Sequence, residues 1–398
     1  MHYLADRCWY RALNLLIERS ILVEFVNEHH DEIFKTYEEL HQLAEASWQE
    51  EKTAQYLKEK LSRAGYQIHT FEGHFGFVAE FNRKSAQVIA LRADMDALVQ
   101  EVEGIVKPNH SCGHDAHSTM VLFAALSLIK QPLKHTIRFL FQPAEETAEG
   151  ALKMIEEQVL KDVVFLGGIH LRPAMEIPLG KAAPVISHGS TTSIKGWIEG
   201  VPSHAARPEK GNNPLEAASA MIQALKQIRL DVPDAYSVKI TELHGGEASN
   251  SIPSKARFTL DLRARSNETM TQLIEQTNHV MKKVAELTKT EITSAAAEFS
   301  PAAVKHEHAI DLATKAISAT LGRENVVSEC ASPGAEDFHF YSLKHPTVAS
   351  TMVGLGCNLL PGLHHPNMHF NKEALMDGTK ILIQLLLDAD QQNWLERR

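Results

Sequence analysis

Residues 111–126 read Ser111-Cys112-Gly113-His114-Asp115-Ala116-His117-Ser118-Thr119-Met120-Val121-Leu122-Phe123-Ala124-Ala125-Leu126. The start of this stretch carries four potential metal ligands or proton carriers: Cys112, His114, Asp115 and His117. Such groups, crowded together, compete or repel unless a cation or a proton network organises them. Thiolate and imidazole are the ligands a borderline-soft divalent ion prefers. The apolar run from Met120 to Leu126 predicts a helix that can be buried. The polar residues then occupy the loop or first turn in front of it. The plainer reading is that Ser111 and Asp115 merely cap that helix.

Outward from this stretch, short β-type runs at 75–81, 87–93, 136–141 and 163–169 alternate with helical segments, including a helix read over 28–64. That alternation predicts an α/β layer structure with a central, mostly parallel sheet. Ligands in such sheets gather outside the carboxyl ends of strands, and the polar clusters fall there. Asp94 and Asp96 follow the second run, Glu145 and Glu146 the third, and His170 the fourth. Near Ser190 the pattern changes. Strand runs at 191–199, 236–243, 257–263 and 290–294, with helices over 214–230 and 268–287, give the order β-α-β-β-α-β. That is the ferredoxin-like arrangement. We therefore expect a discontinuous catalytic domain, 1–189 and 302–398, with a domain inserted at 190–301. Alternation resumes with helix 309–321, strand 347–354 and helix 372–389.

A chain of 398 residues is long enough for two cores. It carries 40 basic and 50 acidic residues, a net charge of −10, and no basic stripe, which argues against a nucleic-acid partner. Cys8, Cys112, Cys330 and Cys357 are far apart and fit no disulfide framework, so a reducing cytoplasm is the expected setting. No apolar run is long enough to span a bilayer. Residues 1–26 hold apolar stretches broken by Asp6, Arg7, Arg11, Glu18, Arg19 and Glu24, read here as an amphipathic helix rather than a signal peptide.

Three further segments carry chemistry. The adjacent carboxylates Glu145 and Glu146 repel unless they have different tasks, one binding a cation and the other moving protons. Gly167-Gly168-Ile169-His170 puts a histidine at a strand end. His364, His365 and His369 crowd one loop between Gly362 and Asn371. Cys112, His114, Glu146, His170 and His364 make five ligands, too few for two complete sites unless one bridges. A thiolate can bridge, leaving positions open for water and substrate.

The ordered motifs resemble the amidohydrolase branch of the dinuclear-metal aminoacylase and carboxypeptidase family, which includes hippurate hydrolases and indole-acetyl-amino-acid hydrolases. They are Leu-Arg-Ala-Asp-Met-Asp-Ala-Leu (91–98), Cys-Gly-His-Asp-Ala-His (112–117), Gln-Pro-Ala-Glu-Glu (142–146), Gly-Ile-His-Leu-Arg-Pro (168–173), Ser-His-Ala-Ala-Arg-Pro (203–208), Gly-Gly-Glu-Ala-Ser-Asn-Ser-Ile-Pro (245–253), Gly-Ala-Glu-Asp-Phe (334–338) and Leu-His-His-Pro (363–366). They span about residues 37–375.

The resemblance implies a three-layer αβα catalytic domain with a lid and dimerisation domain inserted. It implies two divalent ions per subunit, zinc, manganese, cobalt or nickel, with Cys112 in the bridging place. Glu146 and His364 would complete one position, His114 and His170 the other. Glu145 would be the general base activating water, and His204 of the inserted domain would stabilise the oxyanion, in relatives often from the partner subunit. Asn250 and Arg263 match positions that contact the substrate carboxylate, and Asp94, Asp96 and Asp115 would orient ligands. The expected activity is metal-dependent hydrolysis of N-acyl amino acids or related amides, in a cytoplasmic homodimer. A dipeptidase or carboxypeptidase, and a binding homologue without turnover, are the alternatives. Four departures from the branch, a short segment between Leu98 and Cys112, Ala44 in place of a usual proline, Arg172 and Arg207, are expected to line or border the substrate pocket.

Overall fold

The computed structural model describes residues 24–81, 85–129 and 131–394. Nearly all of the amphipathic helix expected at 1–26 lies outside the described residues. The chain divides into two units: 1–187 with 304–332 and 340–398, and 188–303 with 333–339.

The first unit is built on a seven-stranded sheet. Its order is Gln67–Thr70, Phe77–Phe81, Thr136–Gln142, Val88–Asp94, Val163–Pro173, Ala349–Leu359 and Ala182–Ala183. The four strands from Thr136–Gln142 to Ala349–Leu359 are parallel, and the edge pairs are antiparallel. Val88–Asp94 is buried along its whole length, as a strand covered on both faces must be. Ile89, Leu91 and Ala93 point into one large apolar cluster with helices His114–Leu128, Glu307–Leu321 and Ala374–Asp390. The sequence around Met120 therefore makes a helix that is buried along nearly its full length.

Two expectations shift. The helix read over 28–64 is two helices, His30–Gln42 and Glu51–Ala64. In the break, the Glu45 carboxylate accepts the Lys52 and Thr53 N–H groups at 3.1 and 2.9 Å, satisfying the start of the second helix. The fourth strand does not end at 169 but runs to Pro173, so His170 lies within it. A hairpin, Leu98–Val102 with Ile105–Asn109, occupies the short segment before Cys112 and, among the described residues, pairs with no other strand.

The second unit has an antiparallel sheet ordered Tyr236–Gly245, Lys255–Ala264, Ser190–Glu199 and Glu291–Ser300. Ile194, Ile198, Phe258, Leu260 and Leu262 form a core with Ala217 and Met221 of helix Pro214–Leu225 and Leu273 and Met281 of helix Asn267–Thr288. Among the described residues no helix is long and apolar enough to cross a membrane.

Candidate metal centre

Gly113, at φ +91°, turns the chain into helix His114–Leu128. A Cβ there would be strained in φ and would stand 3.0 Å from Leu171. This turn sets Cys112 and His114 side by side, both buried. Potential ligand atoms of Cys112, His114 and His170 lie within 4.8 Å of one another, and so do those of Cys112, Glu146 and His364. Cys112 is common to both groups. The Cys112 Sγ to His170 Nε2 distance is 3.6 Å.

The glutamates sit on a single 3-10 turn, Glu145–Thr147, flanked by Ala144 and Ala148 in left-handed backbone conformations. Non-glycine residues hold such conformations only when their surroundings enforce them. Here a buried Glu50 carboxylate oxygen accepts the Ala144 N–H at 2.9 Å. Asp96 accepts the N–H groups of both Glu145 and Glu146 at 3.1 Å. The same Asp96 accepts His114 Nδ1–H at 3.1 Å and the Ser47 hydroxyl at 2.7 Å. One buried carboxylate thus fixes an imidazole and the backbone of both glutamates.

Asp94 accepts His117 Nδ1–H at 2.7 Å and pairs with Arg92. His117 Nε2 in turn accepts the Leu171 N–H at 3.0 Å. Both His117 nitrogens are spent, which leaves that residue to hold the strand carrying His170. Asp115 accepts His41 Nδ1–H at 2.6 Å and the Ala116 N–H at 2.8 Å. Its effect passes through helix His30–Gln42 and the start of its own helix, not through a candidate ligand ring. Arg172 is buried, with its guanidinium on Glu176 and Ser332. Sequence reading assigned no role to Glu50, Ser47 or His41, which carry no motif of their own and are joined to the site only by the fold.

Burial and neighbouring charges together set the electrostatics of these residues. Burial pushes the Cys112 thiol well up, and Glu146 adds to it. Burial raises Glu146 to about 7 against the opposing His114 charge, with Asp96 adding. His170 is lowered well below the ordinary imidazole range by burial, with His117 and Arg172 adding. Burial opposes charge on His114, but Asp94, Cys112 and Asp96 outweigh it and raise that imidazole well above its usual value. Among the described residues, His114 Nε2 and Glu146 Oε1 are both buried without a hydrogen-bond partner, and they lie 3.8 Å apart. Unpartnered buried polar atoms cost about 1–3 kcal/mol each. A divalent cation ligated by both would satisfy them, and the S, N and O donors suit such an ion. The residues fit the group.

A family model described as Peptidase family M20/M25/M40 matches residues 90–388. The chain belongs to this family. Among M20 relatives, an IAA-amino acid hydrolase of Arabidopsis thaliana is 32% identical over 90% of this chain and 86% of its own length. A hippurate hydrolase of Campylobacter jejuni is 32% identical over 78% of this chain and 85% of its own. A Rhodococcus jostii protein carrying a glutamate–cysteine ligase name is 29% identical over 89% of this chain, which spans 46% of that protein's length. Among solved structures, a dinuclear-metal-binding M20 peptidase of Bacillus subtilis superposes with a TM-score of 0.75 at 27% identity, covering 90% of this chain and 98% of that one.

His204, Asn250 and Arg263 lie in the second unit. His204 is exposed, on a short strand paired with Ser251–Ile252. The Asn250 carbonyl accepts the Ala205 N–H at 2.9 Å. Arg263 is largely exposed, and its guanidinium donates to both oxygens of Asp261, at 2.9 and 3.2 Å.

Proposed function

We propose that the protein is a metal-dependent amidohydrolase of N-acyl amino acids, with two divalent ions held by Cys112, His114, Glu146, His170 and His364. The observation that carries this is the pair of unpartnered buried atoms, His114 Nε2 and Glu146 Oε1, inside two donor groups that share Cys112. The names of the two relatives above, an IAA-amino acid hydrolase and a hippurate hydrolase, support the substrate class. Bound ions would supply Lewis-acid polarisation of the amide carbonyl and acidification of water.

The chain's own residues supply the rest. Glu145 is the general base: its Oε2 lies 3.8 Å from His114 Nε2, and it shares a donor group with His114 and Glu146 but not with Cys112. It takes a proton from water and returns it to the leaving amine. Asp96 keeps Glu145 and Glu146 from exchanging places by fixing both backbones. His204 is assigned the oxyanion, from the same chain or from a partner, in a cytoplasmic homodimer. Asn250 and Arg263 are assigned the substrate carboxylate, and of the two Arg263 would first have to release Asp261.

The test is metal analysis of the purified protein together with hydrolysis of a panel of N-acyl amino acids and dipeptides, before and after chelation. Expected are two metal equivalents and chelator-sensitive release of amino acids from the N-acyl substrates. Turnover of dipeptides alone would shift the reading to a dipeptidase. Two bound ions without any turnover would make it a binding homologue.

A further inference from the structure

The candidate ligands differ in how their rings are aimed. His114 is fixed through Nδ1 by Asp96, and His170 through Nδ1 by the Leu171 carbonyl at 2.7 Å. A ligating histidine ordinarily has such a partner for its second nitrogen. His364 has none among the described residues: its side chain is 55% exposed, and its Nε2 stands 3.5 Å from Glu146 Oε2. Its direction therefore depends on its backbone, which takes a left-handed conformation at φ +63°.

That backbone is anchored from the hairpin before Cys112. The His364 N–H donates to the Ser111 carbonyl at 2.8 Å. Gln100 Nε2 donates to the Ser111 hydroxyl at 2.8 Å and to the His364 carbonyl at 3.4 Å. Gln100 Oε1 accepts Asn109 Nδ2–H at 3.1 Å, and the same Asn109 amide nitrogen donates to the Pro366 carbonyl at 3.1 Å. The two carbonyls can only accept, so they fix which way both amides point. The relay ties the residue before Cys112 to the residues on either side of His365. Cys112 and His364 belong to the same donor group.

We infer that Gln100 and Asn109 are positioning residues that set the affinity of the ion position at Glu146 and His364, the weaker of two unequal positions. The inference rests on the two-ion reading above. The hairpin does for His364, through its backbone, what a carboxylate or carbonyl does for the other two histidines. The unequal build is a consequence: one position has both imidazoles held through their second nitrogen, the other has a half-exposed imidazole held through its loop.

The experiment is titration of the metal-free protein with manganese(II) ions, followed by calorimetry. The wild type is expected to take up two equivalents, the second more weakly. Gln100→Ala should leave the first unchanged and weaken the second about 10- to 100-fold, the usual effect of losing a group that orients a ligand. Asn109→Ala should act in the same direction. The double variant should be no weaker than Gln100→Ala, because both residues serve one relay. Activity lost by Gln100→Ala should return as manganese is raised, which a misfolded variant would not show. Equal weakening of both equivalents, or no weakening of either, overturns the inference and leaves the two-ion reading standing. A wild type that binds fewer than two ions overturns both.

Discussion

At the scale of single residues, the adjacent glutamates are separable by experiment. Glu145→Gln keeps the shape but cannot shuttle a proton, so kcat should fall on the order of 10²–10⁴ with metal content unchanged. Glu146→Gln should lose metal first, since it removes a charged donor beside Cys112. Metal stoichiometry measured beside kcat separates them, and the reverse pattern would exchange their roles. Glu50 tests the protein's own electrostatics. Burial raises it to about 7, with backbone N–H bonds opposing and the Asp96 charge adding. Its folded value thus lies above its unfolded one, so the folded state holds the extra proton. Stability is lost as pH rises from about 4.5 through 7, by roughly 3 kcal/mol once the group is ionised. Glu50→Gln keeps an oxygen for the Ala144 and Trp48 N–H groups but cannot ionise. In urea unfolding of the metal-free proteins, the variant should gain on the wild type between pH 5 and pH 8. A constant difference across that range would show that Glu50 does not titrate there.

At the scale of elements, the 3-10 turn bearing Glu145 and Glu146 depends on Gly150 as much as on its caps. The Gly150 N–H donates to the Ala144 carbonyl at 3.1 Å, closing the turn. A Cβ on Gly150 would stand 1.7 Å from the Pro143 carbonyl oxygen, a backbone atom that cannot swing away. Gly150→Ala should therefore shift the turn, at a cost of about 1–3 kcal/mol, and lower activity by more than the lost stability accounts for. Thermal unfolding beside kcat checks this, and an unchanged kcat would mean that the turn does not position the glutamates. Elements with a strong period were legible in the sequence, namely the strands around 88–94 and 136–142 and the helices around 114 and 374. The break at 43–50 was not. Its residues suit a helix, and it is broken because Glu45 bonds the next helix and Glu50 is drawn under Ala144. The hairpin at 98–109 was missed because its outer face carries Val99 and Val106, both exposed, and gives no clean alternation.

At the scale of the molecule, the chain has two cores and its proposed chemistry calls on both. His204 belongs to the second unit, and the candidate metal ligands to the first. His204→Ala should lower kcat about 10²–10³, the usual cost of one oxyanion donor, with metal content unchanged. Mixing His204→Ala with Glu145→Gln separates the two routes. Regained activity assigns His204 to the partner subunit, and no regain despite subunit exchange assigns it to its own chain. An unchanged kcat in His204→Ala removes it from the mechanism.

The sequence by itself determined the α/β class, the change of pattern near Ser190 and the family. It also put Asp96, Glu145 and Glu146 just past strand ends, whereas His170 lies within its strand. These come from local period and from motif order, which need no partner in space. Only the tertiary structure decided how those side chains are held. Asp96 serving His114 and both glutamates, Glu50 beneath Ala144, Asp115 turned to His41, and Gln100 reaching the His364 loop join residues far apart in the chain. A glutamate in Gln-Glu-Glu-Lys or a glutamine in a short strand reads the same whether it faces water or a carbonyl of another loop. The burial that raises Glu50 and the geometry that gives Gln100 its two acceptors exist only once the sheet has brought those loops to one edge.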